Sequence, residues 1–245
     1  MFELDEKCTN TACIVKVAGI GKVGTLLEKY VANTDIALLT GNSAEPEAWT
    51  GTDLGFLVAD DTEDNTWERL QQGIHSARQQ NVLPVPIWIT KTKPDTTDTI
   101  MALAPQHFTS DEDIYKYIVE SISSIQSLLS LPGLVNLDLE DVRQTFSGAG
   151  RLAFSYGEYV ANTDKQIAVD EVMQRLSRMD VAPHSGKFML LNITGSDEYL
   201  SMFEIAEISE LIYDKLGTND CHMIWGANID NAFADKIRIS LWVRQ

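Results

Sequence analysis

The sequence predicts an α/β protein, with a helix-covered parallel sheet in its first half and a smaller mixed sheet in its second. Three observations carry this reading. Short apolar runs alternate with helical stretches from Ile14 to Leu103. A single long helical period follows from Asp111, and beyond it strands and helices resume and end in two consecutive strands. Alternation of this kind is what a parallel sheet with crossover helices requires.

In chain order, Ile14 to Val17 reads as a strand, followed by the turn Gly19-Ile-Gly21-Lys-Val-Gly24 and a helix to about Val31. Ile36 to Leu39 and Leu54 to Ala59 read as the next strands, and Trp67 to Gln80 as a helix. Val82 to Ile89 is a strand whose Pro84 and Pro86 predict an irregular entry or a sheet edge, because proline donates no ladder hydrogen bond. Ile100 to Leu103 is a further short strand. Ile114, Ile118, Ile122, Ile125 and Leu129 fall at helical spacing and predict one long helix ending before Leu131-Pro132-Gly133. After it come a helix from about Leu139, a strand near Leu152 to Tyr156 and a helix from about Thr163 to Met179. A strand at Phe188 to Ile193, a helix from about Leu200 to Leu216 and strands at His222 to Ile229 and Lys236 to Val243 close the chain. The expected organisation is therefore residues 1–110, a central helix over 111–130, and 131–245 with a mixed sheet carrying helices on one side. The hexapeptide Tyr-Val-Ala-Asn-Thr-Asp occurs at 30–35 and 159–164 with unrelated flanks, which reads as coincidence rather than a repeat.

A length of 245 residues falls between one ordinary domain and two. The composition, 44% hydrophobic and 22% charged, suits a packed core in water. Thirty-six acidic against 19 basic residues give a net charge of -17, a surface that repels phosphate backbones and anionic lipid. Nucleic acid and direct membrane contact are accordingly not expected. No stretch approaches the roughly 18 apolar residues of a spanning helix, and the N-terminus lacks the order of a signal peptide. Cys8, Cys13 and Cys221 are too few and scattered for a disulfide framework, so the expected location is the reduced cytoplasm. His75, His107, His184 and Cys221-His222 show no metal-ligand spacing and read as structural or solvated.

The segment Leu131-Pro-Gly-Leu-Val-Asn-Leu-Asp-Leu-Glu-Asp-Val-Arg143 resembles the loop and helix that follow the central helix in the FtsZ/tubulin superfamily. Met189-Leu-Leu-Asn-Ile-Thr-Gly195 with Leu200 to Ala206, then Ile224 to Asp230 and Asp235 to Ile239, are similar to the later FtsZ strands and helix, in order and correctly spaced. The first half matches in pieces: Val17 to Gly24 resembles the first nucleotide loop, Thr52 to Ala59 the strand before the phosphate loop, and Asp98 to Pro105 the last strand of the nucleotide domain. The resemblance implies a reduced Rossmann-like nucleotide domain lacking segments between residues 42 and 52 and between 92 and 98, a central helix and an FtsZ-like C-terminal domain. Proteins of this family bind GTP between subunits of a head-to-tail filament. One subunit supplies a glycine-rich pocket and the next an acidic loop that assists hydrolysis.

The two halves of such a site differ here. The Gly19-x-Gly21-x-x-Gly24 turn fits either ligand binding or close packing of helix on strand. Where the family has Gly-Gly-Gly-Thr-Gly-Thr-Gly, this chain has Asp60-Asp61-Thr62-Glu63-Asp64-Asn65-Thr66, with no glycine and four carboxylates. That run reads as a solvated acidic helix start, or as a weak cation candidate at Asp60, Asp61 and Asp64. In register from Pro132, the aspartate that contacts guanine in the family falls on Tyr115. By contrast Asn136-x-Asp138-x-x-Asp141 keeps the family's acidic pattern in full, serving inherited catalysis in trans, helix capping, or both.

The resemblance thus implies an assembly protein with little or no GTPase activity of its own and no resident cofactor, partnered with itself or with a true FtsZ. Set against it are a cation-dependent GTPase using GTP and magnesium, and a small-molecule or dinucleotide binder at Gly19–Gly24. The sequence stops just after its last predicted strand, where the family continues into a linker and an adaptor-binding tail, so any membrane localisation is expected to be indirect.

Overall fold

The computed structural model describes residues 13–92, 98–217 and 221–245; Cys8 and the N-terminal residues read above lie outside them, as do residues 93–97 in the 92–98 connection. The first half comprises β1 (Val15–Gly19), α1 (Lys22–Val31), β2 (Ala37–Leu38), β3 (Leu54–Asp60), α2 (Thr66–Gln79), β4 (Leu83–Ile89) and β5 (Thr99–Leu103). The helix α3 (Asp111–Ser130) follows. The second half comprises β6 (Gly133–Val135), α4 (Leu139–Phe146), β7 (Gly150–Val160), α5 (Gln166–Arg178), β8 (Phe188–Gly195), α6 (Met202–Leu216), β9 (His222–Ile229) and β10 (Lys236–Arg244). Among the described residues, no helix is long and apolar enough to cross a membrane.

Local chemistry accounts for the helices that matter most. In α1, Val23, Leu27 and Val31 recur every fourth residue and are the buried positions. In α3, Ser110 caps the N-terminus by accepting from the Asp113 amide at 3.2 Å, and Asp111, Glu112 and Asp113 place negative charge at the positive end of the dipole. Ile114, Ile118, Ile122 and Ile125 are buried as their spacing predicts. At about 1.5 Å per residue, the 20 residues of α3 span about 30 Å.

The strands form one ten-stranded sheet in the order β2-β1-β3-β4-β5-β7-β10-β8-β9-β6. From β2 to β5 every pairing is parallel, and β10 then runs antiparallel between β7 and β8. The two halves meet where β5 pairs with β7 in parallel, Thr99 opposite Gly150 and Ile100 opposite Arg151. This matches the expected parallel first half and mixed second half, but three features differ. First, β4 is interior, with β3 along its whole length on one side. The Leu83 amide donates to Asp53 O on that side at 2.9 Å, so by strand alternation Pro84 and Pro86 face the other. There β5 pairs only from Ile87 onward, and the prolines leave no ladder donor unmatched.

Second, helices cover both faces of the second sheet. Trp242 of β10 packs on Phe146 of α4 (centroids 4.8 Å apart) and donates to Ser124 Oγ of α3 at 3.0 Å. On the opposite face, Ser155 of β7 donates to Val172 O of α5 at 2.7 Å, and Tyr159 donates to Glu204 of α6. Third, β6 is a three-residue strand that the sequence pattern does not reveal; it adds an antiparallel edge to β9.

The connection between residues 42 and 52 is anchored by a single side chain. Trp49, on the short 3₁₀ turn Pro46–Trp49, is fully buried, and its indole donates to Ser43 O at 2.9 Å. It lies flat on Gly55 of β3, where any Cβ would collide with its ring. Ala18, Leu57, Leu70 and Ile74 complete this apolar cluster on the α2 face of the sheet. Replacing Trp49 with alanine empties that space, and we expect Trp49→Ala to lose about 3–5 kcal/mol. The check is a lower urea midpoint at unchanged m-value; a loss under about 1 kcal/mol would contradict this role for the ring.

Candidate functional site

The carboxyl ends of β1 and β3 and the start of α1 converge at the glycine turn, the usual position of ligands in open α/β sheets. Gly21 adopts φ +74°, a left-handed conformation that favours glycine. Gly19 and Gly24 meet so closely that a Cβ on Gly19 would overlap the Gly24 backbone, which is the close-packing reading of the motif. Free amides at a helix start attract an anion, and here the chain supplies one. A Cβ on Gly21 would lie 2.6 Å from Glu63 Oε2, and Lys22 Nζ stands 3.7 Å from Glu63 Oε1. The Glu63 carboxylate therefore rests on the turn.

The rest of the acidic run is turned toward its own loop. Asp60 Oδ1 accepts from the Thr62 amide at 3.2 Å and the Thr62 hydroxyl at 2.8 Å. Asp61 Oδ2 accepts from the Thr90 hydroxyl at 2.7 Å. Asn65 takes a left-handed conformation (φ 59°) just before α2, so the run is a loop rather than a helix start, with Glu68 the acidic residue in the first turn. Among the described residues, no three or more His, Cys, Asp or Glu side chains are placed to share a metal ion. Asp60, Asp61 and Asp64 are thus not gathered into a cation site.

Tyr115 lies on α3 and stacks on Tyr30 of α1, with ring centroids 5.2 Å apart and planes within 5°. It is 5% exposed. Burial, reinforced by the negative charges of Asp60 and Asp111 and by Tyr30, pushes its phenol up to about 12. Asp60 at the end of β3 is thereby close enough to act on Tyr115, whose stacking partner Tyr30 stands near the C-terminal end of α1.

The acidic loop lies at the other end of α3. Asn136 Oδ1 accepts from the Gly133 amide at 2.9 Å. Asp138 Oδ1 accepts from the amides of Glu140 at 2.8 Å and Asp141 at 3.0 Å, and the Asp138 amide donates to Asp141 Oδ2 at 2.9 Å. This reciprocal pair is a complete capping box on α4. The capping reading of Asp138 and Asp141 therefore holds as local structure. Each carboxylate keeps a second oxygen for which no hydrogen bond is recorded among the described residues.

The structure brings Gly19, Gly21 and Gly24 together with Glu63, and Tyr115 with Tyr30; it holds Asn136, Asp138 and Asp141 as a separate group beyond the far end of α3. Sequence reasoning did not single out the contact of Glu63 with Gly21 or the part played by Tyr30. The available signal for Glu63 was charge: a carboxylate in the loop after β3 has a helix N-terminus within reach. His75 contacts Gln79 at 2.9 Å and His107 contacts Asp180 at 3.1 Å, both ordinary side-chain pairings.

Strand order, central helix and mixed second sheet are those of the FtsZ/tubulin fold. The chain superposes on an FtsZ dimer structure from M. jannaschii, crystallised empty, with a TM-score of 0.71 and 16% identity, covering 96% of this chain and 88% of that one. It superposes on GDP-bound monomeric CetZ1 from Haloferax volcanii with a TM-score of 0.64 and 13% identity, covering 94% and 93%. In sequence, residues 152–244 match the FtsZ family C-terminal domain. Cell division protein FtsZ 1 of Thermococcus kodakarensis is 34% identical over 128 residues, which is 51% of this chain and 33% of that protein. FtsZ 1 of Halobacterium salinarum is 33% identical over 123 residues, 49% of this chain and 30% of that protein. The matched segment thus spans about a third of the length of these curated relatives. Residues 152–244 are thus similar to the FtsZ C-terminal domain, and the chain as a whole shares the fold of the FtsZ and CetZ structures.

Two outcomes follow from this geometry. Asp138→Ala removes the cap and is expected to destabilise the protein by about 1 kcal/mol, while Asp138→Asn stays within a few tenths, as read by urea unfolding. For Tyr115 the folded phenol titrates above the ordinary value of 10. Its contribution to stability is complete below pH 10 and is lost as pH rises towards about 12. An alkaline titration followed by phenolate absorbance should show a phase near pH 12 that Tyr115→Phe removes.

Proposed function

We propose that this chain is a non-enzymatic assembly protein of the FtsZ type. It joins filaments of its own kind or of a true FtsZ by head-to-tail contact and presents Asn136, Asp138 and Asp141 to the neighbour's nucleotide, while binding none at its own glycine turn. The observation that carries this reading is the asymmetry along α3. Toward one end Glu63 lies on the Gly21 turn and Tyr115 stacks on Tyr30; at the other the acidic loop is held in place by its own backbone bonds. A carboxylate about 4 Å from a phosphate charge opposes binding by about 1–4 kcal/mol, depending on screening. The capped loop stands ready to act on a neighbour, and its rigid backbone is the condition for electrostatic positioning of water and cation against a phosphoryl group.

The surface at that end supports docking. The Ile229 amide donates to Pro132 O at 3.0 Å, which brings the ends of β8 and β9 and the segment leading to α6 to the same end as the acidic loop. Met202 and Phe203 at the start of α6 are 52% and 72% exposed, and Leu134 of β6 is 44% exposed. Large apolar side chains gathered on an otherwise acidic surface mark a place for a protein partner. The names of the relatives, cell division protein FtsZ, agree with a cytoskeletal role in division.

The test mixes the chain with an archaeal FtsZ and follows sedimentation and GTP turnover together. We expect the chain to pellet with the filaments, to change their turnover and to show none alone. Asp138→Asn keeps the helix cap but removes the charge, and is expected to weaken the effect on turnover by at least about tenfold. A strict monomer that ignores FtsZ would overturn the proposal. So would GTP turnover by the chain alone that Asp138→Asn abolishes, which is the signature of the GTPase alternative.

A further inference from the structure

A cavity of about 660 Å³ opens at the seam between the two halves of the sheet, away from the acidic loop. Its floor is the outward face of β5, where Ile100 is followed by the small side chains of Ala102 and Ala104 just beyond the strand. Alternate residues Met101 and Leu103 point into the main core, while Ile100 on this face is buried in the cluster beneath α2 and Ala102 beyond it lines the cavity. Lys91, Arg151 and His107 line it, together with the carboxylates of Asp98 and Asp180, which are engaged by Arg78 and by His107.

Arg151 is the unusual member. It is the seam residue of β7, opposite Ile100, and is only partly exposed. The comparably placed Arg175 and Arg238 are paired with Glu171 and with Glu120 and Glu158. Arg151 has no carboxylate within ion-pair distance among the described residues, in a chain with nearly two acids for each base. One guanidinium nitrogen donates to Met179 O at 2.7 Å, and Nε is buried with no partner among the described residues. Burial lowers its pKa, and the charge of Asp180, beyond ion-pair distance, offsets this only in part. His107 is held by Asp180 through Nε2, and its Nδ1 is likewise buried without a partner among the described residues. A buried cation with an unmet donor is destabilising on its own, and a fork already fixed by Met179 is pre-organised for a bidentate acceptor. Lys91 has no ion pair among the described residues and adds a second cation to the lining.

We infer that this cavity binds a small organic anion, its carboxylate or phosphate group on Arg151 and Lys91 and its apolar body on Ala102 and Ala104. The volume falls in the range of small-molecule sites, about 300–1,000 Å³. Because Arg151 and Ile100 are the paired residues of the seam, an occupant would grip both halves of the sheet at once. The assembly reading does not enter this inference, and either can fail without the other.

The experiment is thermal unfolding of the full chain titrated with inorganic phosphate or with benzoate, with the Arg151 Nε–H correlation followed by NMR in parallel. We expect at least one anion to raise Tm saturably and to shift that correlation. Arg151→Met should weaken the effect at least about tenfold and Lys91→Gln about threefold. A response to phosphate alone assigns a phosphate ester, and a response to benzoate alone a carboxylate. Lys91→Gln alters an exposed side chain and keeps the test decisive if Arg151→Met fails to fold. No response to either anion, or an equal response in wild type and Lys91→Gln with an unmoved Arg151 signal, would overturn the inference.

Discussion

The close approach of α1 to β1 at Gly19 and Gly24 is the contact on which the rest of the first half depends. With a side chain at either position the helix would have to lift off the strand: a Cβ on Gly24 would lie 3.1 Å from Gly19 O. Seated this way, α1 begins at the carboxyl ends of β1 and β3, and its unbonded amides lie within reach of the loop after β3. That loop carries Glu63, which settles on Gly21 and Lys22. The other end of α1 is fixed by Tyr30 against Tyr115. The start of α1, where free amides favour an anion, thereby has the chain's own carboxylate beside it.

What happens at the far end follows from how firmly α3 is held. Arg238 of β10 pairs with Glu120 of α3 and with Glu158 of β7. Tyr117 donates to Phe154 O, and the Trp242 indole donates to Ser124 Oγ. These bonds join α3 to the second sheet along its length, and the β5–β7 pairing makes the two halves one sheet rather than two bodies on a hinge. A loop at the end of a helix so fixed has a defined position relative to everything behind it. The capping box then fixes its backbone.

Much of this architecture was legible in the sequence because it is written in local periodicity. The four-residue repeat of Val23, Leu27 and Val31 and the isoleucines of α3 name their buried faces directly. The pattern of Asn136, Asp138 and Asp141 was legible too, since a capping box is a three-residue affair. What escaped was set by partners far along the chain. Pro84 and Pro86 suggested an edge, yet β4 is interior because β5 is short enough to leave them room. Trp49 gives no local sign that it anchors its connection; only Gly55 beneath it and Ser43 beside it make it core. β6 is too short to carry a period, and Glu63 looked like one more member of an acidic run until the fold placed Gly21 against it. Arg151 showed nothing in the sequence, because an unpaired cation is recognised only once its surroundings are known.

The central claim is that a site of anion-binding geometry is closed by the chain's own groups. Calorimetric titration of the full chain with GTP, with and without magnesium, tests it most directly, with Glu63→Gln, which keeps the side chain's shape but removes its charge, as the second sample. The account predicts no binding up to about 1 mM GTP in the unaltered chain, an affinity weaker than about -4 kcal/mol, and a measurable gain in Glu63→Gln. Submillimolar binding of GTP to the unaltered chain would contradict it.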